Sequence, residues 1–230
     1  MSEPERKLLA IDLDGTLVDS APDIAHCLGR ALEAIGYAPP GEARTRVWIG
    51  DGLETLIARA IAHGGGEREA TLSGETRHKA ALAAFLACYR DNLFVRSRLY
   101  PGVKETLDEL RARGLKLCCI TNKRYAFSHE LLVVAGIRDY FDPLIGGDSL
   151  PEKKPSPLQL KVAAETLGVA PSAAVLVGDS HQDLRAAHAA GYGFVLASYG
   201  YGKIDETELG SSPRIRSFAD LPASLGLARV

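Results

Sequence analysis

The 230-residue sequence predicts an α/β fold: a doubly wound, mostly parallel sheet with helices on both faces, and an all-helical domain inserted directly after the first strand. Three observations predict it. Short apolar runs, each ending in a polar or glycine-rich turn, alternate with stretches of helical periodicity. A glycine follows each of those helical stretches. Between about residue 20 and residue 94 the alternation stops, and helical stripes follow one another with no convincing strand between them. The expected division is a core of residues 1–18 and 96–230 and a helical insert of residues 19–95.

Taken in order, Lys7-Leu8-Leu9-Ala10-Ile11 is the first apolar run, and it ends at Asp12-Leu13-Asp14-Gly15-Thr16. It reads as a buried strand entering a tight loop. Ser20, with Asp23 three residues on, reads as a helix N-cap, followed by a stripe of Ile24, Leu28, Ala31, Leu32 and Ile35. Leu53, Leu56, Ile57, Ala60 and Ile61 make a second stripe, and Ala81, Leu82, Phe85, Leu86 and Tyr89 a third, with Gly64-Gly65-Gly66 as a flexible break between them. Four more strand-like runs cover residues 115–120, 141–145, 174–177 and 194–197. They end at Thr121-Asn122, Gly146-Gly147-Asp148, Gly178-Asp179 and Ser198-Tyr199-Gly200. Helices are expected over residues 103–113, 125–135, 157–167 and 182–190, stopped by Gly114, Gly136, Gly168 and Gly191. Such alternation builds a parallel sheet covered on both faces.

Composition narrows the class. Hydrophobic residues make up 46% and charged residues 24% of the chain, enough to bury an ordinary core without a metal or a disulfide to hold it. A formal net charge of -2 provides no basic field for nucleic acid or an anionic membrane surface. The N-terminus has no signal-peptide organisation, and no apolar run approaches the length of a membrane span. Cys27, Cys88, Cys118 and Cys119 form no CxxC and no zinc spacing, so reduced, mostly buried thiols and a cytoplasmic location are expected. The oligomeric expectation is a monomer or a homodimer.

The chemistry-bearing residues stand at the C-terminal ends of the predicted strands, the edge where open parallel sheets bind ligands. Asp12 and Asp14, Thr121 and Asn122, and Asp179 and Asp183 should therefore converge, with Lys154 able to join them. Their types suit phosphoryl transfer. A carboxylate, Asp12, attacks phosphorus and divides one hard step into two. Mg²⁺, held by oxygens of Asp12 and Asp179, cancels the repulsion between carboxylate and phosphate. Lys154, the Thr121 hydroxyl and the amides around Asn122 and Leu13 stabilise the phosphate oxygens. Asp14, two residues past Asp12, reaches the leaving oxygen as an acid and later activates water. Each signal is weak alone: Asp-x-Asp pairs also bind other metals, Gly178-Asp179 makes an ordinary turn, a lone lysine is usually solvated, and Thr121-Asn122 resembles an N-cap. Four such clusters in order, each after its own strand, are not ordinary.

On these motifs the chain resembles the haloacid dehalogenase-like hydrolase superfamily, over nearly its whole length. The residues that carry the resemblance are Asp12-Leu13-Asp14-Gly15-Thr16-Leu17-Val18-Asp19-Ser20, Ile120-Thr121-Asn122-Lys123, Lys153-Lys154-Pro155-Ser156-Pro157 and Val177-Gly178-Asp179-Ser180-His181-Gln182-Asp183. The resemblance implies a Rossmann-like core, a cap domain formed by the helical insert, and metal ligation by Asp12, Asp179 and the backbone carbonyl of Asp14. It implies an outer-shell role for Asp183 and phosphate binding by Lys154. Within the superfamily the chain is similar to the bacterial phosphoglycolate phosphatases, on Asp19-Ser20-Ala21-Pro22, Val47-Trp48-Ile49-Gly50-Asp51-Gly52, Ile145-Gly146-Gly147-Asp148 and Leu196-Ala197-Ser198-Tyr199-Gly200-Tyr201-Gly202. That similarity implies a Mg²⁺-dependent hydrolysis of 2-phosphoglycolate through an aspartyl-phosphate.

Alternatives within the fold are a phosphatase for another small metabolite, such as a sugar phosphate or pyrophosphate, and a sugar-phosphate mutase. Asp14 speaks against a dehalogenase, which needs no acid there. Lys79 is the one candidate for the cap lysine that a phosphonate-cleaving enzyme would use. A phospho-aspartate signalling domain would be shorter and without the insert. Arg44, Arg46 and Lys123 are the cationic candidates for reading a substrate carboxylate, unranked by sequence. Trp48 reads first as a packing residue, His181 as local surface, and His63, His78 and His188 have no partners at metal spacing. Hinges are expected near Val18-Asp19 and over residues 94–99.

Overall fold

Leu8–Ile11 forms β1, and all four residues are buried, as a strand covered by helices on both faces requires. The computed structural model describes residues 6–64 and 73–227. The expected break at Gly65-Gly66, and most of the N-terminal segment read as lacking a signal peptide, lie outside those residues. After β1 the chain forms a two-residue strand, β2 (Val18–Asp19), and then four helices: α1 (Ala21–Glu33), α2 (Glu42–Trp48), α3 (Leu53–Gly64) and α4 (Gly74–Asp91). β3 (Arg98–Leu99) returns antiparallel to β2, pairing Val18 with Leu99 and Asp19 with Arg98. The two segments expected as hinges therefore lie side by side, in a two-stranded ribbon where the chain leaves and re-enters the sheet domain. Neither β2 nor β3 was expected as a strand; two residues are too few for a period to register.

From there strands and helices alternate: α5 (Val103–Ala112), β4 (Lys116–Ile120), α6 (Tyr125–Val134), β5 (Leu144–Ile145), α7 (Leu158–Leu167), β6 (Ala174–Gly178), α8 (His181–Ala190), β7 (Gly193–Ala197), α9 (Glu206–Leu209), β8 (Arg214–Ile215) and α10 (Leu221–Ser224). The six-stranded sheet has the order β5-β4-β1-β6-β7-β8, with every pair parallel. β1 is central, and the chain builds outward on one side through β4 and β5, then on the other through β6, β7 and β8. This is the doubly wound arrangement the sequence predicts. The ladder of β5 is shorter than the apolar run over residues 141–145, because Pro143 has no N–H to give it. The short edge strand β8 has no apolar run of its own.

Period-two alternation sorts the sheet residues onto two cores. Leu9, Ile11, Leu117, Cys119, Val175 and Val177 face one side, in an apolar cluster continuous with Leu28, Ile57, Phe85 and Tyr89 of the helical insert. Leu8, Ala10, Cys118, Ile120 and Leu176 face the other, against Leu160 of α7 and Leu184 of α8. The insert thus shares a core with one face of the sheet.

One local expectation is overturned. Ser20 does not cap α1 with its side chain; its backbone is already helical, and its hydroxyl donates to Asp14 Oδ1 at 2.5 Å. Asp23 does not complete a capping box either. It is fully buried and accepts from Ser97 N at 2.8 Å, Ser97 Oγ at 2.7 Å and Arg96 N at 3.0 Å. The capping signature is engaged in tying the start of α1 to the returning chain before β3.

Candidate active site

Asp12, Thr121 and Asp179 each follow directly on a parallel strand, β1, β4 and β6 respectively, so all three emerge at one edge of the sheet. That edge, next to the central strand from which the chain builds both ways, is the crevice where open α/β sheets hold ligands. The residues that sequence placed there do converge, and Lys154 joins them from the segment before α7.

Lys154 is the centre of the cluster. Its ammonium donates to Asp12 Oδ1 at 2.7 Å, Asp183 Oδ1 at 2.6 Å and the Ile120 carbonyl at 2.7 Å. Burial opposes its charge, but the Asp12 and Asp183 carboxylates outweigh that and hold its pKa above the usual lysine value. Gln159, fully buried, fixes the backbone around it: Oε1 accepts from Lys154 N at 3.1 Å, and Nε2 donates to the Gly146 carbonyl at 2.9 Å.

Burial pushes the Asp12 carboxyl up to about 7, with Asp183 and Asp14 adding to the rise and Lys154 working against it. Burial also raises Asp179 well above the carboxylate range, helped by Asp12 and Asp183 and opposed by hydrogen bonds from Tyr201 N at 2.6 Å and Gly202 N at 3.2 Å. Oxygens of Asp12, Asp179 and Asp183 lie within 4.8 Å of one another, and all three residues are buried. Crowded, desolvated carboxylates with one ammonium among them are short of positive charge, and their all-oxygen character fits a hard divalent cation. Asp183 already has partners: besides Lys154, its Oδ2 accepts from Ser180 N at 3.1 Å and Ser180 Oγ at 2.5 Å, a capping box that starts α8. Gly15 makes the approach of the loop possible. Its φ is +86°, and a Cβ there would fall on the Asp179 carboxylate.

Asp14 is turned away from that group. Both of its oxygens accept from Lys123 Nζ at 3.0 Å, and Oδ1 also accepts from Ser20 Oγ. Lys123 is 8% exposed and lies 4.8 Å from the centre of the Tyr89 ring, over its face. Burial opposes its charge, but Asp14 more than compensates and its pKa stays above the usual value.

Thr121 is buried, and its Oγ1 accepts from Lys123 N at 3.2 Å. The Asn122 side chain is engaged structurally, its Nδ2 donating to the Lys154 carbonyl at 2.9 Å and to the Gly50 carbonyl of the insert at 2.8 Å. Above these residues lies a cleft, partly open to solvent, lined by Asp12, Asp14, Thr121, Asn122, Lys123 and Lys154 below and by Ile24, Leu53, Leu56, Phe85 and Tyr89 of the insert above. The loop between α2 and α3 closes onto the core. Lys153 Nζ donates to the Asp51 carbonyl at 2.9 Å, Gln182 Nε2 donates to Asp51 Oδ1, and Arg124 of the core pairs with Glu54 of α3.

Several other candidates stand elsewhere. Arg46 forms a two-pronged ion pair with Asp19, both distances 2.9 Å, and covers the Tyr201 ring. Arg44 contacts His63, and Trp48 packs edge-on against the same ring at 5.5 Å. Lys79 pairs with Glu75 on an exposed face. His181 faces Glu208 at 2.7 Å. Cys27, Cys118 and Cys119 are buried free thiols pushed up by that burial. Among the described residues no helix is long and apolar enough to cross a membrane. Sequence reasoning missed Ser20, Tyr89, Gln159 and Tyr201. Tyr201 binds Asp179 through its amide, while its hydroxyl accepts from Ser20 N at 2.7 Å and donates to Asp19 Oδ1 at 2.8 Å, so it links the candidate cation site to the ribbon. Its one sequence signal was the Ser198-Tyr199-Gly200-Tyr201-Gly202 turn; nothing in the sequence marks Gln159.

The family model for haloacid dehalogenase-like hydrolases matches residues 6–191. A protein of Nitrosococcus oceani named phosphoglycolate phosphatase is 45% identical over 202 residues, which is 87% of each chain. One of Chromobacterium violaceum with the same name is 40% identical over 215 residues, 94% of each. A crystal structure from Haemophilus somnus, described as a predicted phosphoglycolate phosphatase, superposes with a TM-score of 0.90 at 36% identity, covering 97% of this chain and 98% of its own. CbbY of Rhodobacter sphaeroides, solved with phosphate, superposes with a TM-score of 0.76 at 28% identity, over 96% of this chain and 100% of its own.

Proposed function

Because the chain belongs to the haloacid dehalogenase-like hydrolase family, we propose that it is a Mg²⁺-dependent phosphatase converting 2-phosphoglycolate to glycolate and phosphate, with Asp12 as nucleophile. The observation that carries this reading is the buried Asp12–Lys154–Asp183 cluster with Asp14 two residues beyond the nucleophile. The name shared by relatives at 40–45% identity supports the choice of substrate.

Asp12 attacks phosphorus; its new bond to phosphorus forms as the bond to the ester oxygen breaks. Asp14 gives that oxygen its proton, so glycolate leaves as a neutral alcohol group. Asp14 then takes a proton from water as the water attacks the aspartyl-phosphate, releasing phosphate and restoring Asp12. Lys154 holds Asp12 in place, and the Thr121 hydroxyl with the amides of Leu13 and Asn122 receives phosphate oxygens. Asp12, Asp179 and the Asp14 carbonyl would hold Mg²⁺, which supplies the charge needed for an anionic nucleophile to approach an anionic phosphate. Asp183 keeps Lys154 charged and positioned. Residues 19–95 act as a cap whose closure over the cleft excludes water and large esters. Buried, unpaired thiols support a reducing, cytoplasmic setting.

The apolar upper wall of Ile24, Leu53, Leu56 and Phe85 favours a second reading, a phosphatase for another small ester with a less polar leaving group. Phosphate release over a panel of phosphoglycolate, sugar phosphates, pyrophosphate and simple alkyl phosphates, with and without Mg²⁺, decides between them. Phosphoglycolate should give the highest kcat/KM; a preference for a neutral alkyl ester would favour the second reading.

A further inference from the structure

The cleft presents an apolar surface made by Ile24, Leu53, Leu56 and Phe85 of the insert and Phe127 of α6. Beside Asp14 that surface gives way to two polar groups, the Tyr89 hydroxyl from α4 and the Lys123 ammonium from the core. Tyr89 is 2% exposed, and its hydroxyl, close to the Lys123 ammonium, makes no hydrogen bond of normal geometry. A buried hydroxyl without a partner destabilises a fold and calls for an explanation. The ring has no room to turn the hydroxyl elsewhere: Phe85 stacks on it at 5.2 Å, Phe127 meets it edge-on at 5.3 Å, and Lys123 covers its face. A donor is thus held at the cleft wall beside the Lys123 ammonium, which can only donate and so leaves the phenolic O–H without an acceptor.

Position says what it would bind. In a phosphate ester of a short hydroxy acid, the carboxylate carbon is two bonds from the bridging oxygen. A cation that reads the carboxylate must therefore stand beside the group that protonates that oxygen. Lys123 stands 3.0 Å from Asp14. The other cations considered are engaged elsewhere: Arg124 with Glu54, Arg46 with Asp19 and Glu42, and Arg44 with His63. We infer that Lys123 and the Tyr89 hydroxyl together receive an anionic oxygen of the leaving group, so that the cap selects phosphate esters of short hydroxy acids over those of neutral alcohols. The inference rests on the phosphatase reading above and assigns its specificity to two residues, one from the cap and one from the core.

Tyr89→Phe tests it cleanly, because the ring contacts stay and only the unpaired hydroxyl goes. kcat/KM is measured for 2-phosphoglycolate and for ethyl phosphate, which lacks the carboxylate, in the wild type and the variant, together with each protein's Tm. The wild type should prefer phosphoglycolate. In Tyr89→Phe the ratio of the two values should fall about tenfold or more, as expected for a lost hydrogen bond to a charged group, mainly through KM, with Tm equal or higher. Lys123→Gln should lower the ratio too. If the wild type shows no preference, the phosphoglycolate reading falls and the inference with it. If the wild type prefers phosphoglycolate but Tyr89→Phe keeps the ratio, the inference falls and the substrate reading stands. A fall in the ratio accompanied by a clearly lower Tm would make the hydroxyl structural and overturn the inference. Equal losses on both substrates in Lys123→Gln would confine Lys123 to serving Asp14, which also overturns it.

Discussion

Lys154 donates at once to Asp12, Asp183 and a strand-end carbonyl while only 3% exposed, so its removal strands two buried carboxylates. Lys154→Ala is expected to lower kcat by about two to three orders of magnitude, as for one preorganised electrostatic donor. It should also destabilise the fold by about 3–5 kcal/mol, the usual result of breaking a buried pair from one side. Steady-state kinetics and chemical denaturation check the two effects separately; a loss of tenfold or less would leave Lys153 or Lys123 in the role. These residues were legible in sequence because each of Asp12, Thr121 and Asp179 stands immediately after an apolar strand, where position along the chain already implies position in space. Asn122 was legible as to place but not as to use, its amide holding Gly50 and the Lys154 backbone. Ser20, Tyr89, Gln159 and Tyr201 were not legible, since their roles come from partners 5 to 182 residues away along the chain, which no local hydrophobic pattern reports.

At the scale of elements, the contacts between insert and core include the β2–β3 ribbon and the loop between α2 and α3. The ribbon is braced by Asp23 against Ser97 and by Arg46 and Tyr201 on Asp19. The loop is held by Gln182, Lys153 and Asn122, each reaching across from the core. If closure of this loop shapes the substrate site, Gln182→Ala should raise KM for phosphoglycolate about two- to tenfold, the worth of one modest hydrogen bond, with little change in kcat. An unchanged KM would mean the loop contact contributes nothing to binding. Strand–helix alternation and the insert's helical stripes were readable because their periods persist over several turns or residues. β2, β3 and β8, two residues each, exist only through their pairing partners.

For the whole molecule, the crowded carboxylates link stability to pH and to metal. Burial raises Asp12 to about 7 and Asp179 well above its usual range, so the folded metal-free protein holds protons that the unfolded chain releases near pH 4. The sign follows: this contribution is full below about pH 4 and is lost as pH rises towards about 7. With a chelator present, Tm should fall across that window, and Mg²⁺ should raise Tm more at pH 8 than at pH 5. A Mg²⁺ effect equal at both pH values would argue against binding at these carboxylates. Chelation should also abolish turnover while the fold persists, because the two apolar cores on either side of the sheet do not depend on the ion. The covalent step tests the account most directly. Protein mixed with Mg²⁺ and 2-phosphoglycolate labelled in its phosphate, then quenched in acid during turnover, should carry the label on the peptide containing Asp12, and Asp12→Asn should carry none and release no phosphate. Rapid phosphate release by an Asp12→Asn protein, or label found on a peptide without Asp12, would contradict it.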